Sequence, residues 1–310
     1  MRILIIDEIH ESIFSMLERI GAEADYRPDI KPEAVKEALA GFDGLIVRSK
    51  MRINADTLEL AHTLKFVARA GAGVDNIDAQ ALQARNIALL GANEGNRQAV
   101  GEFTLGLLLG LVRNISRSHT QVRQKVWRRE ENRGDEVSSM TVGIVGYGNM
   151  GQSFAQVLRG FGCRVIAYDR FAPEKIQLPT VQVSLEEMQA EADVVSFHIP
   201  YIPENLGMAN DSFFEGFRKP VWFLNTSRGD VVDQAALVRQ LQSGKVKGAA
   251  LDVLENEKLH TLNPAQQENF AFLAAADNVI LTPHIAGWTH ESYVEINKVL
   301  VEKIRKVIAV

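Results

Sequence analysis

Residues 140–169 read MTVGIVGYGNMGQSFAQVLRGFGCRVIAYD, and this stretch decides the fold. Thr141 to Val145 alternate and end in apolar residues like a buried strand, Gly146, Gly148 and Gly151 follow at GxGxxG spacing, and Gln152 to Arg159 continue as a helix. A second strand, Arg164 to Tyr168, then ends in Asp169. The first glycine permits a tight turn, the second lets backbone approach a pyrophosphate, and the third lets helix and strand pack closely. Phosphates belong at the helix N-terminus, where unpaired N–H groups and the dipole favour negative charge. Asn149 and Met150, between the second and third glycines, are candidate cofactor contacts with them. Asp169, 18 residues beyond Gly151, is placed to accept hydrogen bonds from a ribose. Its carboxylate repels a 2′-phosphate and so favours NAD; the adjacent Arg170 keeps NADP open as the alternative.

Working outward, the 310 residues are 46% hydrophobic and 24% charged, ordinary for a folded chain of two domains. A net charge of −5 gives no global attraction to nucleic acid or to an anionic membrane. The longest strongly apolar run, Phe103 to Val112, is too short to span a bilayer. Met1-Arg2 leads straight into Ile3 to Ile6 and Asp7, which reads as a buried strand and not a signal peptide, so a cytoplasmic protein is expected. Cys163 is the single cysteine, and no His/Cys cluster has zinc spacing, so no metal is expected.

Before the glycine turn, strands at Arg2 to Ile6, near Ala24, Gly44 to Arg48, Lys65 to Arg69 and Ile87 to Gly91 alternate with helical patterns. The helices are expected at Glu11 to Ile20, Pro32 to Leu39, Ala55 to Ala61 and Ala79 to Ala84. Such alternation implies a parallel, doubly wound α/β sheet. Arg97 to about Val126 reads as one long helical segment whose first half is apolar all round and therefore buried. After it, Arg128 to Ser139 reads as a polar connection. Beyond the glycine turn, strands are expected at Asp193 to Phe197, Val221 to Asn225, Gly248 to Asp252 and Asn278 to Thr282, and a final amphipathic helix at Glu291 to Ile308.

Three of these later strands place polar residues just past their ends, where ligands bind in open α/β sheets. VWFLNTSRGDVVD gives Arg228, GAALDVLENE gives Asp252 and Glu257, and VILTPHIAG gives His284. Oxidising a secondary alcohol by hydride transfer needs a base for the hydroxyl proton, and reduction needs an acid; a histidine suits both. A carboxylate bonded to that imidazole holds one tautomer and favours its protonated form. An arginine fork fits a substrate carboxylate.

RAGAGVDNID at Arg69 to Asp78, GYGNMG, NTSRGDVVD, LDVLENE and TPHIAG fall in one order, and with them nearly the whole chain resembles the D-isomer-specific 2-hydroxyacid dehydrogenases, most closely their phosphoglycerate dehydrogenase branch. The resemblance implies that Arg228, Glu257 and His284 are catalytic and that Asp252, His198 and Pro200 of FHIP, and Thr226 line the cofactor NAD. It implies that Gly71, Ala72 and Gly73 bind the substrate carboxylate, consistent with a glycine-rich turn presenting N–H groups to an anion. Arg48 and Ser49, with Lys50 beside them, and Arg69 are implied near a substrate phosphate. Arg129 in the WRRE segment is implied to reach a neighbouring subunit's site in a homodimer. Lys258 stands where the family usually has proline after the glutamate, and Trp288 is bulkier than the small residue often found there.

The expected architecture is therefore two doubly wound parallel-sheet domains with a cleft between them. A flavodoxin-like substrate domain would comprise residues 1–95 and 288–310, and a Rossmann NAD-binding domain residues 96–287. The resemblance implies NAD-dependent oxidation of 3-phospho-D-glycerate. Alternatives are a glyoxylate or hydroxypyruvate reductase, another D-2-hydroxyacid dehydrogenase, or, in a different class, an NAD-responsive corepressor module. The chain ends soon after its last helix, so the C-terminal regulatory domain and the serine feedback of longer relatives are expected to be absent.

Overall fold

Strands buried on both faces read as unbroken apolar runs, and that is what Ile3, Leu4 and Ile5 (0% exposed) and Leu45, Ile46 and Val47 become. The computed structural model describes residues 1–171, 174 and 176–308. The chain divides into two units: Met1–Arg97 with the chain from Trp288 onward, and Gln98–Gly287. Residues 309 and 310, assigned to the first domain from the sequence, lie outside the described residues.

In the first unit, β1 (Arg2–Ile5), β2 (Glu23–Tyr26), β3 (Gly44–Val47), β4 (Phe66–Arg69) and β5 (Ala88–Gly91) form a parallel sheet in the order β2-β1-β3-β4-β5. Alternating side chains supply two cores. Leu4, Leu45 and Val67 join Val35 and Leu39 around α2 (Pro32–Ala38), while Ile3, Ile5, Ile46 and Phe66 join Ile13 and Leu17 of α1 (Ser12–Arg19). Each such aliphatic side chain contributes about 1.5–3 kcal/mol on burial. The last helix, α11 (His290–Ile308), closes the second core with Leu300, Val301 and Ile304. Gly44 is required where it stands, since a Cβ there would lie 2.2 Å from the Phe66 ring.

Two expectations fail in instructive ways. Ala55 to Ala61 is a run of turns with no helix; Leu58, Ala61 and Leu64 are buried at three-residue spacing and the bonds are mostly i→i+3, which suits three residues per turn better than 3.6. The long helix from Arg97 is two helices, α4 (Arg97–Val112) and α5 (Ile115–Arg123), bent by 62°. The break falls at Asn114, left-handed at φ 54°, a conformation asparagine tolerates. α4 ends where its buried residues end, at Val112, and α5 buries none. No single helix among the described residues is long and apolar enough to cross a membrane.

The second unit holds β6 (Thr141–Val145), β7 (Arg164–Tyr168), β8 (Val181–Gln182), β9 (Val194–Phe197), β10 (Val221–Asn225), β11 (Val246–Leu251) and β12 (Val279–Leu281). They form one parallel sheet in the order β12-β11-β10-β9-β6-β7-β8, so the order reverses between β6 and β9, where such sheets bind ligands. Between the strands lie α6 (Asn149–Leu158) and four helices not expected from the sequence: α7 (Leu185–Glu191), α8 (Asp211–Glu215), α9 (Gln234–Gln242) and α10 (Pro264–Ala275). The register is what matters for function. Val145 pairs with Tyr168 and Phe197, Asn225 pairs with Phe197 and Leu251, and Leu251 pairs with Leu281. Six strands thus end in one row, and the next residues are Gly146, Asp169, His198, Thr226, Asp252 and Thr282.

Candidate functional site

The glycine turn at the head of this row has the shape a dinucleotide needs. Gly146 sits at φ 91°, and a Cβ on it would come within 2.7 Å of the His198 carbonyl oxygen, so the β6 and β9 loops touch only because the residue is glycine. A Cβ on Gly151 would lie 2.1 Å from the Gly146 oxygen, which is the helix–strand packing requirement. Gly148 differs: nothing lies within 4 Å of where its Cβ would be. It is also the residue that begins α6 and has no side chain to cap the first turn at Asn149, Met150 and Gly151. Open backbone at a helix N-terminus fits a pyrophosphate.

Asp169 does structural work as well. Its Oδ2 accepts from the Tyr147 N–H at 2.7 Å and its Oδ1 from Phe171 N–H at 2.9 Å, tying the glycine turn to the end of β7. Arg170 Nη1 donates to the Glu204 carbonyl at 3.4 Å. His198 is buried, its Nε2 2.9 Å from Ser196 Oγ and its ring tilted on Phe154. Burial without a counter-charge pushes this imidazole down to about 3. Pro200 is exposed and its carbonyl accepts from Asn205, while Thr226 is buried with Oγ1 3.0 Å from Thr104 Oγ1. These groups fit NAD: backbone for phosphates, a carboxylate for ribose, and a neutral imidazole among them.

At the other end of the row, His284 and Glu257 meet. His284 Nδ1 lies 2.9 Å from Glu257 Oε1 and 3.1 Å from Oε2, and both side chains are about half exposed (47% and 48%). Among the described residues no hydrogen bond forms at Nε2, so the ring is anchored at one nitrogen and open at the other. The backbone holds it in a costly place: His284 has φ 55°, a conformation worth about 1–3 kcal/mol of strain for a non-glycine residue. The compensation is Asp252, only 1% exposed. Its main-chain oxygen accepts the His284 N–H at 2.8 Å, and its carboxylate accepts from Thr282 Oγ1, the Ile285 N–H and the Ala286 N–H. The Asp252 carboxylate therefore ties down the 282–286 loop.

Arg228 rides on a loop built the same way. Asn225, fully buried, donates from Nδ2 to the Arg228 carbonyl at 2.8 Å and accepts from the Ser227 N–H and Oγ. The Arg228 guanidinium donates to the Ser227 carbonyl at 2.7 Å. Gly229 then lets this loop lie against the loop of Glu257, since a Cβ there would be 1.9 Å from the Leu254 oxygen. Lys258, in place of proline, uses its N–H: it donates to Asn256 Oδ1 at 3.0 Å, so a side-chain turn replaces the ring constraint. Neither Asn225 nor Asn256 was singled out from sequence, although an Asn at a strand end or two residues before a turn is a readable signal.

In the first unit, Asp7 organises the loop that follows β3. Its carboxylate accepts the N–H groups of Arg48, Ser49 and Lys50 at 2.7, 3.3 and 3.0 Å. Lys50 Nζ donates to the carbonyls of Pro28 and Ile30. Arg69 Nε donates to the Arg48 carbonyl at 3.2 Å and its guanidinium occupies the space a Cβ on Gly71 would need. The Gly71 N–H donates to the Arg69 carbonyl at 2.9 Å, whereas those of Ala72 and Gly73 have no partner among the described residues. Arg129 is exposed in the turns after α5.

Residues 105–286 match the family described as D-isomer specific 2-hydroxyacid dehydrogenase, NAD binding domain. The chain is 31% identical over 98% of its length to a D-3-phosphoglycerate dehydrogenase of Archaeoglobus fulgidus, of which it covers 56%. It is 34% identical to a hydroxypyruvate reductase of Thermotoga maritima, covering 89% of this chain and 88% of that one. Among solved structures it is similar to a D-lactate dehydrogenase of Treponema pallidum, with a TM-score of 0.81, 28% identity, and coverage of 100% and 97%. The chain spans just over half the length of the phosphoglycerate dehydrogenases it matches.

Proposed function

The chain belongs to the D-isomer-specific 2-hydroxyacid dehydrogenases and carries their NAD binding domain, and from this we propose that it oxidises 3-phospho-D-glycerate to 3-phosphohydroxypyruvate, the reaction that opens serine synthesis. The observation that carries the chemistry is the His284–Glu257 contact: Nδ1 is held by a carboxylate, which leaves Nε2 as the base for a hydroxyl proton. As His284 takes that proton, the Glu257 charge stabilises the imidazolium. NAD, when bound, supplies the hydride acceptor. Arg228 holds the substrate carboxylate and polarises the C2 oxygen, and the open N–H groups of Ala72 and Gly73 bind a carboxylate oxygen. Gly146, Gly148, Asn149, Met150, Gly151 and Asp169 hold the nucleotide, with His198, Pro200, Thr226 and Asp252 completing its surroundings. Asp252 acts through the 282–286 loop.

The substrate phosphate is assigned to Arg48, Ser49 and Arg69. Arg129, exposed beyond α5, is assigned to the site of a second subunit in a cytoplasmic homodimer. A second reading, reduction of hydroxypyruvate or glyoxylate, is favoured by the engagement of Lys50 Nζ with two backbone carbonyls, which leaves fewer of its N–H donors for a phosphate, and by the Thermotoga maritima relative. Steady-state assays of phosphorylated and unphosphorylated 2-hydroxy and 2-oxo acids with NAD(H) separate the two. On our reading the phosphorylated acid has the highest kcat/KM, and Arg48→Met lowers it about 10- to 100-fold more than for unphosphorylated acids. Equal losses on both would remove the phosphate from the assignment.

A further inference from the structure

Arg48 is held in an unusual way for a half-buried cation. Its guanidinium carbon lies 4.1 Å from the centroid of the Trp288 ring and 5.0 Å from that of Tyr293, and the two rings pack edge to face at 5.2 Å and 88°. Trp288 keeps 55% of its surface in water. It stands next to a reciprocal cap, in which the Thr289 N–H donates to Ser292 Oγ and the Ser292 N–H to Thr289 Oγ1, so the start of α11 presents Trp288 and Tyr293 together. The main chain of Arg48 is fixed as well, its N–H by Asp7 and its carbonyl by Arg69 Nε and Asn76 Nδ2. Yet among the described residues no carboxylate pairs with its guanidinium and no hydrogen bond uses its side-chain N–H groups.

We infer that Trp288 and Tyr293 are positioning residues that hold Arg48 as an anion fork and thereby set the preference for a substrate bearing a phosphoryl group. Ring faces attract a guanidinium through their quadrupole and take up none of its donors. An acidic partner would hold the side chain equally well but would occupy the in-plane N–H groups that a phosphoryl oxygen needs and would cancel the charge. Guanidinium is weakly hydrated and stacks readily, so the arrangement is specific to arginine; lysine at position 48 would lose the stacking and the fork together. This inference rests on the assignment of Arg48 to the substrate phosphate.

The test uses Trp288→Leu, Tyr293→Leu, the conservative Trp288→Phe, and Arg48→Met as the reference. Each is assayed with 3-phospho-D-glycerate and with D-glycerate, and 3-phospho-D-glycerate binding without NAD is followed by calorimetry. Trp288→Leu should raise KM for the phosphorylated acid about tenfold with kcat little changed, weaken its binding to the same degree, and leave KM for D-glycerate and for NAD near the parent values. Tyr293→Leu should do the same to a smaller degree, and Trp288→Phe should restore most of the loss. If Arg48→Met discriminates between the two acids and neither aromatic variant does, the positioning role is wrong while the phosphate assignment stands. If Arg48→Met itself does not discriminate, the phosphate assignment fails and this inference with it.

Discussion

His198 and His284 both follow apolar strands of the same sheet, β9 and β12, yet they are opposite kinds of histidine. His198 is buried with a serine hydroxyl at Nε2, and its imidazole is pushed down to about 3, so it is neutral at any working pH. His284 is half exposed, strained at φ 55°, and has a carboxylate at Nδ1. Desolvation disfavours the charged form of the buried ring. The first residue is thereby fixed as a neutral polar group inside the unit, and the second is a half-exposed ring engaged at Nδ1 alone among the described residues. A strand-end histidine is therefore not informative by type alone; its burial and the partner at its engaged nitrogen separate the two.

The largest test of this contrast is His284→Ala, expected to lower kcat by about 10²- to 10⁴-fold with NAD affinity retained by fluorescence titration. His198→Gln, which keeps a hydrogen-bonding group at Ser196, should cost far less turnover. A reversed ranking of the two variants would invert the comparison. Glu257→Gln comes next: the amide still accepts from Nδ1–H but has no charge to set against an imidazolium, and kcat should fall about 10- to 100-fold. A Glu257→Gln enzyme with parental kcat would reduce that contact to a surface pair.

The parts of this site that were readable in the sequence are those governed by local rules. The GxGxxG turn and the strands before Thr226, Asp252 and Thr282 followed from apolar runs and glycine spacing, because a parallel strand buried on both faces carries its signature in four or five residues, whereas the family followed only from the resemblance of whole motifs such as NTSRGDVVD and TPHIAG. Two kinds of feature were not readable. One is the point where a helix leaves the core, as at Asn114, since an apolar stripe does not announce where its neighbour ends. The other is the use of a buried acid or amide to tie a loop: Asp7 takes three N–H groups from residues 41 or more positions away, and Asp252 takes its pair from a loop more than 30 residues on. Such bonds exist only once the sheet has formed. The helix α10 is itself legible, for Asn263, Pro264 and Gln266 spell a capping box with proline at its first position.

The smallest effect sharpens the comparison through stability. Because the folded state holds His198 well below its usual 6.5, the unfolded chain binds a proton that the folded chain refuses. The sign follows from linkage: stability from keeping this imidazole neutral is present in full above the unfolded value and is lost as pH falls from 6.5 toward about 3. One proton of difference is worth about 1.4 kcal/mol per pH unit, so the parent protein should lose about 2 kcal/mol between pH 6.5 and about pH 5 on this account. That interval lies above the range where carboxylates titrate, which keeps their contribution small. Urea unfolding of the parent and of His198→Gln across the interval reads the difference directly. The parent curve should fall more steeply with acid and the two should run parallel above pH 7. Parallel curves throughout would mean that His198 accepts a proton in place, and that its burial does not separate it from His284.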